Sequence, residues 1–284
     1  MLTKKDLKTP IEINWCPGCG NFGIHKAFTD AVVQSGWDNT NSVVVAGIGC
    51  HGHIVNFVKL TSFEGLHGRP IPVASGVKMS NSRLNVFVFT GDGDCLAEGG
   101  NHFVNGARRN QDITVILHDN AVYGLTTGQT SPRSPQGYKS KSTPAGNIDE
   151  PINPLSLALA AGATFLGRVY AGNAKAATEM IIKANEHRGF SVIQVLQPCI
   201  IFNKQYTHAY YRENIYELDD NHDKTDKQAA FAKTLEWGLK KIPVGIFYQV
   251  EEPTCESQIP QIKNKPLIEI PVKRNLNKLF NKFI

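Results

Sequence analysis

A doubly wound parallel α/β sheet is the fold class this sequence predicts, on two observations. Its apolar runs are short, rich in β-branched residues and nearly continuous, as strands buried on both faces must be. Segments with helical spacing separate them, so strand and helix alternate along the chain.

The elements follow in order. WCPGCGNFGIHKAF (15–28) sets Cys16 and Cys19 just before an amphipathic helix-like run. NSVVVAGIGC (41–50) reads as a strand ending at Cys50, and LNVFVFTGDGD (84–94) as one ending in a Gly-Asp-Gly-Asp turn. CLAEGGNHFVNGARRN (95–110) reads as a helix, and DITVILHDN (112–120) as a strand ending at Asp119 and Asn120. NPLSLALAAG (153–162) is a helix that Asn153 caps and Pro154 starts, leading into ATFLGRV. NAKAATEMIIKANEHRG (173–189) is a helix ending in Gly189, and GFSVIQVLQPC (189–199) is a strand ending at Cys199. Beyond about residue 204 the alternation fades into polar sequence, short strand-like pieces such as GIFYQV and LIEIPV, and Lys-rich connectors. This divides the chain into a domain over 1–204 and an extension over 205–284 that packs on the domain or on a partner.

Bulk composition narrows the function classes. Hydrophobic residues make up 41% and charged residues 19%, enough apolar material for a sizeable core. The net charge of +5 is mild and lacks a basic stripe interleaved with aromatics, so nucleic acid is not an expected partner. The start, MLTKKDLKTPIEINW, has no apolar h-region, and no apolar run reaches membrane-spanning length. A cytoplasmic location is expected, where clustered cysteines point to metal or catalysis more than to disulfides.

Cys50, Asp92, Asn120 and Cys199 all fall just past the C-terminal end of an expected strand, the edge at which parallel α/β sheets bind ligands. The Gly-Asp-Gly turn lets backbone N–H groups approach a phosphate, and Asp92 offers a hard oxygen that suits Mg²⁺. Asn120, 28 positions on, offers an amide oxygen, and the Val122 carbonyl lies in the turn leading to Gly124. Gly-Asp-Gly followed by Asn at this spacing is similar to the thiamine diphosphate motif. A nicotinamide fingerprint fits poorly, because GDGDCLAEGG does not space its glycines as Gly-x-Gly-x-x-Gly.

Cys16 and Cys19 with Cys50 and Cys199 make four thiols, the set that holds one [4Fe-4S] cluster or one zinc ion. Ligand type alone leaves both open. A thioredoxin-like redox pair fits less well, since no suitable βαβ strand follows Cys16 and Cys19. Burial is the expected state of Cys95 and Cys255.

Over residues 11 to about 204 the chain resembles the β subunit of 2-oxoacid:ferredoxin oxidoreductases. The strings that carry the resemblance include WCPGCGN, GIGCHGH, LHGRPIPVASGVK, GDGD, GGNHFVNGARRN, DNAVYGLTTGQTSP, TPAGNIDEPINPLSLALAAGATF and QPCIIFN, in one order. The resemblance implies a sheet of the thiamine diphosphate-binding (diphosphate domain) type that carries thiamine diphosphate, Mg²⁺ and one [4Fe-4S] cluster. It implies oxidative decarboxylation of a 2-oxoacid with coenzyme A to acyl-CoA and CO₂, with electrons passed to ferredoxin. Carried over residue by residue, Cys16, Cys19, Cys50 and Cys199 ligate the cluster; Asp92, Asn120 and the Val122 carbonyl hold Mg²⁺. Gly93, Asp94, Gly124 and Leu125 line the diphosphate, and Ile48, Gly49, His51 and His67 lie beside the cofactor. His53 stands where many members carry Arg or Lys, and is the expected catalytic contact to the substrate carboxylate.

The chain has room for one thiamine domain, so the resemblance implies a separate α subunit that supplies the activating Glu, in an αβ or (αβ)₂ assembly. The positive charge and Lys-rich tail suit an acidic ferredoxin or that α subunit. The short β subunit favours 2-oxoglutarate, with pyruvate or another 2-oxoacid as the alternative substrate. Two other readings compete: a non-redox thiamine decarboxylase or carboligase, and a zinc-stabilised non-catalytic α/β module.

Overall fold

The computed structural model describes residues 2–271 and 280–283. Lys273, Arg274 and Lys278 of the basic tail lie outside the described residues. The strands are β1 (Ser42–Ala46), β2 (Ser62–Glu64), β3 (Asn85–Gly91), β4 (Ile113–Asp119), β5 (Phe165–Tyr170), β6 (Phe190–Leu196), β7 (Ile215–Glu217) and β8 (Ile242–Gln249). The helices are α1 (Asn21–Ser35), α2 (Ile54–Phe57), α3 (Pro70–Ser80), α4 (Gly100–Arg108), α5 (Pro154–Ala161), α6 (Ala174–Glu186), α7 (His208–Asn214), α8 (Lys227–Leu235) and α9 (Cys255–Gln258). The strands form one sheet in the order β2-β1-β3-β4-β6-β5-β8-β7. β1 to β6 pair in parallel, β8 joins β5 antiparallel, and β7 runs parallel to β8.

Successive side chains of a strand point to opposite faces, and here both faces are covered. Phe87 and Phe89 of β3 pack on Phe28 of α1, with ring centroids 5.2 and 4.9 Å apart. Val86 and Val88 face the other way, into a core with Ala74 of α3 and Phe103 of α4. The continuous apolar strands of the sequence are the consequence of these two cores.

Helix α5 starts as its sequence predicts: the Asn153 side chain accepts a bond from Ser156 N–H at 3.1 Å. Four local expectations change. Helix α3 was not among the expected helices. Pro70 and Pro72 both fall in its first turn, where backbone N–H groups have no intrahelical acceptor, so they cost it little. The expected helix over 95–110 is a π-helical turn, Asp94–Glu98, followed by α4. Helix α6 ends at Glu186 rather than at Gly189. Gly189 is needed for close approach instead: a β-carbon there would stand 2.4 Å from Asn110 Oδ1 and Thr164 Oγ1. The described part of LIEIPV forms a 3₁₀ turn, Leu267–Glu269, not a strand.

The segment after residue 204 extends the sheet through β7 and β8 and is fastened by one buried side chain. Arg168 of β5 is fully buried. Its Nε donates to Gln194 Oε1 at 2.8 Å, Nη1 to the Pro243 carbonyl at 3.2 Å and Nη2 to the Thr234 carbonyl at 3.3 Å. The guanidinium also lies over the rings of Phe247 and Trp237, at 5.0 and 5.5 Å. Arg168→Met takes the side-chain donor from the Gln194 and Pro243 oxygens, at about 1–3 kcal/mol each before relaxation, while the Thr234 carbonyl keeps its bond from Asn153 Nδ2 at 2.6 Å. A loss of about 2 kcal/mol or more is expected, read as a lower denaturation midpoint in urea.

Candidate functional site

The strands that end at the four singled-out residues, β1, β3, β4 and β6, are consecutive neighbours in the sheet. Their C-terminal loops therefore meet on one rim. Two adjoining cavities open there, one lined mainly by acids, amides and glycines, the other by thiols.

The first cavity, of about 70 Å³, is lined by Ile48, Gly49, Cys50, His51, His67, Asp92, Gly93, Asp94, Asn120, Val122, Gly124 and Leu125. Every residue that the sequence placed at the magnesium, the diphosphate or the cofactor's flank lines this one cleft. Asp92 is 2% exposed. Burial, reinforced by the charge of Asp119, pushes its carboxyl up to about 7, although Ser131 donates a hydrogen bond to it. A carboxylate so desolvated calls for a compensating cation, and a hard divalent ion suits its oxygen. Asn120 Oδ1 accepts the Val122 N–H at 3.0 Å, which fixes the amide's orientation. Between them Ala121 adopts a left-handed backbone, φ 56°, at a cost of about 1–2 kcal/mol. Its carbonyl is held by Ser134 Oγ at 2.7 Å.

Asp94 lines the cleft, but its carboxylate is consumed inside the protein. Oδ1 accepts from Gly68 N–H at 2.7 Å, from Ile48 N–H at 3.2 Å and pairs with His67 Nδ1 at 2.8 Å. Oδ2 accepts from Thr90 Oγ1 at 2.6 Å. Burial alone would raise this carboxyl; the adjacent His51 imidazole and these N–H and O–H donors hold it below its usual value. Asp94 thus ties the loops after β1, β2 and β3 together. Gly47 permits this, since a β-carbon there would stand 1.9 Å from Asp94 Oδ2. His51 is fixed beneath the same loops, its Nε2 accepting the Gly91 N–H at 3.1 Å.

The second cavity, of about 340 Å³, is lined by Cys16, Cys19, Cys50 and Cys199, with Trp15, Ile200, Ile201 and Phe202 as apolar walls. Cys50, Asn120, Gly124 and Leu125 line both cavities. At Gly124 a β-carbon would lie 3.6 Å from Cys199 Sγ and 3.7 Å from Cys50 Sγ, so both sulfurs sit against this backbone. Trp15 Nε1 donates to the Cys50 carbonyl at 2.6 Å. Burial pushes the Cys19 and Cys50 thiols up to about 11, and the neighbouring sulfurs add to it. Two thiols so raised ionise side by side only around a positive centre. Among the described residues no three of His, Cys, Asp or Glu could hold one metal ion. Four cysteines lining one apolar-walled cavity are the donor type that an iron–sulfur cluster or a zinc ion takes.

His53, expected to contact a substrate carboxylate, lines the thiol cavity, stacked on Phe57 with ring centroids 6.2 Å apart. The helix-initiating turn before α2 turns it there. Cys95 is buried in the core, and Cys255 sits half-buried at the start of α9, away from both cavities.

Sequence reasoning missed several supporting side chains. Ser131 braces Asp92, and Arg133 Nε pairs with Asp119 Oδ2 at 2.8 Å, both buried. Gln197 connects Asn120 to Cys19. The segment TSPRS and the residue two before Cys199 held the signal, in polar residues flanking motif positions.

Comparison with known proteins agrees with this geometry. The family model described as "Thiamine pyrophosphate enzyme, C-terminal TPP binding domain" matches residues 47–195. The family model for the C-terminal part of the pyruvate ferredoxin oxidoreductase β subunit matches residues 199–264. The chain is 45% identical over 284 residues to the 2-oxoacid:ferredoxin oxidoreductase subunit beta of a Sulfolobus species, covering 95% of this chain and 93% of that one. It is 42% identical over 185 residues to the 2-oxoglutarate synthase subunit KorB of Archaeoglobus fulgidus, covering 65% and 69% of the two chains. Among solved structures, the 2-oxoglutarate:ferredoxin oxidoreductase of Magnetococcus marinus, with 2-oxoglutarate, coenzyme A and succinyl-CoA bound, is similar at a TM-score of 0.91 and 35% identity, covering 99% of this chain and 96% of that one.

Proposed function

The chain belongs to the family of 2-oxoacid:ferredoxin oxidoreductase β subunits, and from that premise we propose that it serves the oxidative decarboxylation of 2-oxoglutarate with coenzyme A. The products would be succinyl-CoA and CO₂, and the electrons would leave for ferredoxin through a [4Fe-4S] cluster. Thiamine diphosphate, when bound, supplies the carbanion chemistry that decarboxylation requires, and the cluster supplies one-electron acceptance.

This chain's own residues divide the work by cavity. Asp92, Asn120 and the Val122 carbonyl would hold Mg²⁺, with the backbone at Gly93 and Gly124 free to approach the diphosphate. Ile48, Gly49, His51 and Leu125 would flank the cofactor, and Asp94 with His67 keeps their loops in place. Cys16, Cys19, Cys50 and Cys199 would ligate the cluster, behind apolar walls that exclude water. His53, in the cavity that Leu125 also lines, is the side chain we assign to the substrate's carboxylate, as a hydrogen-bond donor.

The observation that carries this reading is the shared wall: Cys50, Asn120, Gly124 and Leu125 face both cavities. An electron-donating centre and an electron-accepting one would be separated by single side chains. The two acids lining the cleft, Asp92 and Asp94, are both committed to other tasks. That supports an α subunit that brings the activating Glu, in an αβ or (αβ)₂ assembly. The relatives named for 2-oxoglutarate support that substrate over pyruvate. We place the enzyme in the cytoplasm, where reducing conditions keep thiols free to take up a cluster. Among the described residues no helix is long and apolar enough to cross a membrane.

The test is anaerobic co-expression with the α subunit and viologen reduction with a panel of 2-oxoacids plus coenzyme A. Reduction should be fastest with 2-oxoglutarate and require coenzyme A. A preparation that carries both cofactors and reduces viologen with none of the panel overturns the proposal. One that prefers pyruvate overturns the substrate assignment.

A further inference from the structure

Gln197 lies between the two cavities, 2% exposed, and belongs to neither the magnesium set nor the thiol set. Its side-chain oxygen accepts from Asn120 Nδ2 at 3.1 Å, and its Nε2 donates to Cys19 Sγ at 3.3 Å. Each amide orientation is forced by its neighbour. The Val122 N–H occupies Asn120 Oδ1 at 3.0 Å, so Asn120 presents its NH₂ to Gln197. Gln197 must then offer oxygen to Asn120, and its own NH₂ is turned to Cys19 Sγ, with the Pro198 carbonyl as a second, longer acceptor at 3.4 Å. Gly20 packs closely against this side chain: a β-carbon there would stand 2.8 Å from Gln197 Cγ. Its backbone N–H is also held by the Asp119 carbonyl at 2.9 Å.

We infer that Gln197 is a positioning residue that couples the metal–diphosphate site to the cluster, through the relay Asn120–Gln197–Cys19. The inference rests on the proposed magnesium and cluster ligands. A cation on Asn120 Oδ1 polarises that amide and strengthens its donation to Gln197. Gln197 in turn donates more strongly to Cys19, as hydrogen bonds in series do. An N–H bonded to a cluster sulfur favours the reduced, more negative cluster. Loading the cofactor site therefore raises the cluster's midpoint potential, and by linkage cluster reduction tightens Mg²⁺ binding.

The experiment uses the assembled complex, prepared anaerobically. Midpoint potentials are read by EPR-monitored titration with Mg²⁺ and thiamine diphosphate removed and then restored. The bound ion's direct field acts on every variant, so the relay's share is what Gln197→Met loses. That loss is expected to be roughly tenfold in the reduced-to-oxidised ratio, or about 59 mV for one electron. By the same linkage, the tightening of Mg²⁺ binding on cluster reduction should be roughly tenfold smaller in Gln197→Met than in the wild type. A variant with wild-type potential and wild-type response overturns the relay. So does wild-type enzyme labelled with ¹⁵N in the glutamine side chain if pulsed EPR of the reduced cluster shows no coupling to that nitrogen, a measurement independent of the variant's folding. A wild-type complex without iron, or one that binds thiamine diphosphate independently of Mg²⁺, defeats the underlying site assignment instead, and the relay with it.

Discussion

Cys50→Ser should strip iron from the protein while leaving Mg²⁺-dependent thiamine diphosphate binding largely intact. Cys50 is the one thiol that also lines the cofactor cleft, and its backbone is held by Trp15 from the side of the thiol cavity. Serine keeps the volume, so the cleft's walls stay where they are, but its hydroxyl is a poor soft ligand. Loss of an outer-shell partner typically costs 10–100-fold, so loss of a ligand should lower viologen reduction by more than about 100-fold. Iron and sulfide assays, EPR of the reduced protein and titration calorimetry with thiamine diphosphate check the three parts. Full iron content in the variant would remove Cys50 from the ligand set.

Asp92→Asn should produce the reciprocal phenotype: an intact cluster and a cofactor site that no longer holds its metal. The buried carboxylate has its charge opposed by burial and by Asp119, and Ser131 alone donates to it from a side chain. Removing the charge relieves that cost, so the metal-free variant should melt no lower than the wild type. The same change removes the anionic ligand, and half-saturation by Mg²⁺ should rise by about 100-fold or more. Thermal melts at stepped Mg²⁺ concentrations with thiamine diphosphate separate the two effects. A wild-type rise in melting temperature with Mg²⁺ in the variant would take Asp92 out of the site. Together the two variants show whether the centres can be emptied one at a time.

The parts of the site that could be read from the sequence are those set by local chemistry. Continuous apolar strands announced β1, β3, β4 and β6, and a turn glycine, an acid or a cysteine after each marked one rim. What could not be read depends on partners far along the chain. Gln197 finds Asn120 across 77 positions, and Arg133 finds Asp119 only because a loop folds back over the strand end. The tasks of Asp94 were hidden for the same reason: its donors come from three loops. His53 shares a short string with His51, yet the turn into α2 sends the two rings to different cavities. Helix α3 was hidden by its prolines, whose helical meaning depends on falling in the first turn. The antiparallel placement of β8 escaped because its pattern, half-buried toward one end, carries no sign of its partner.

The grip of Arg168 on the Thr234 and Pro243 carbonyls also sets an order of assembly during synthesis. Residues 15–199 already hold the four cysteines of the thiol cavity and the proposed magnesium ligands, but at that stage β5 is an open sheet edge and Arg168 has only Gln194 of its three partners. Such an edge invites pairing with other chains, and the hazard persists until residue 249 has left the ribosome and β8 can dock. A nascent chain stalled before that point carries all of the proposed site residues on a sheet that is still sticky. Ribosome-bound chains cut at residue 220 should therefore be captured by chaperones far more than chains extended past residue 249 and clear of the exit tunnel.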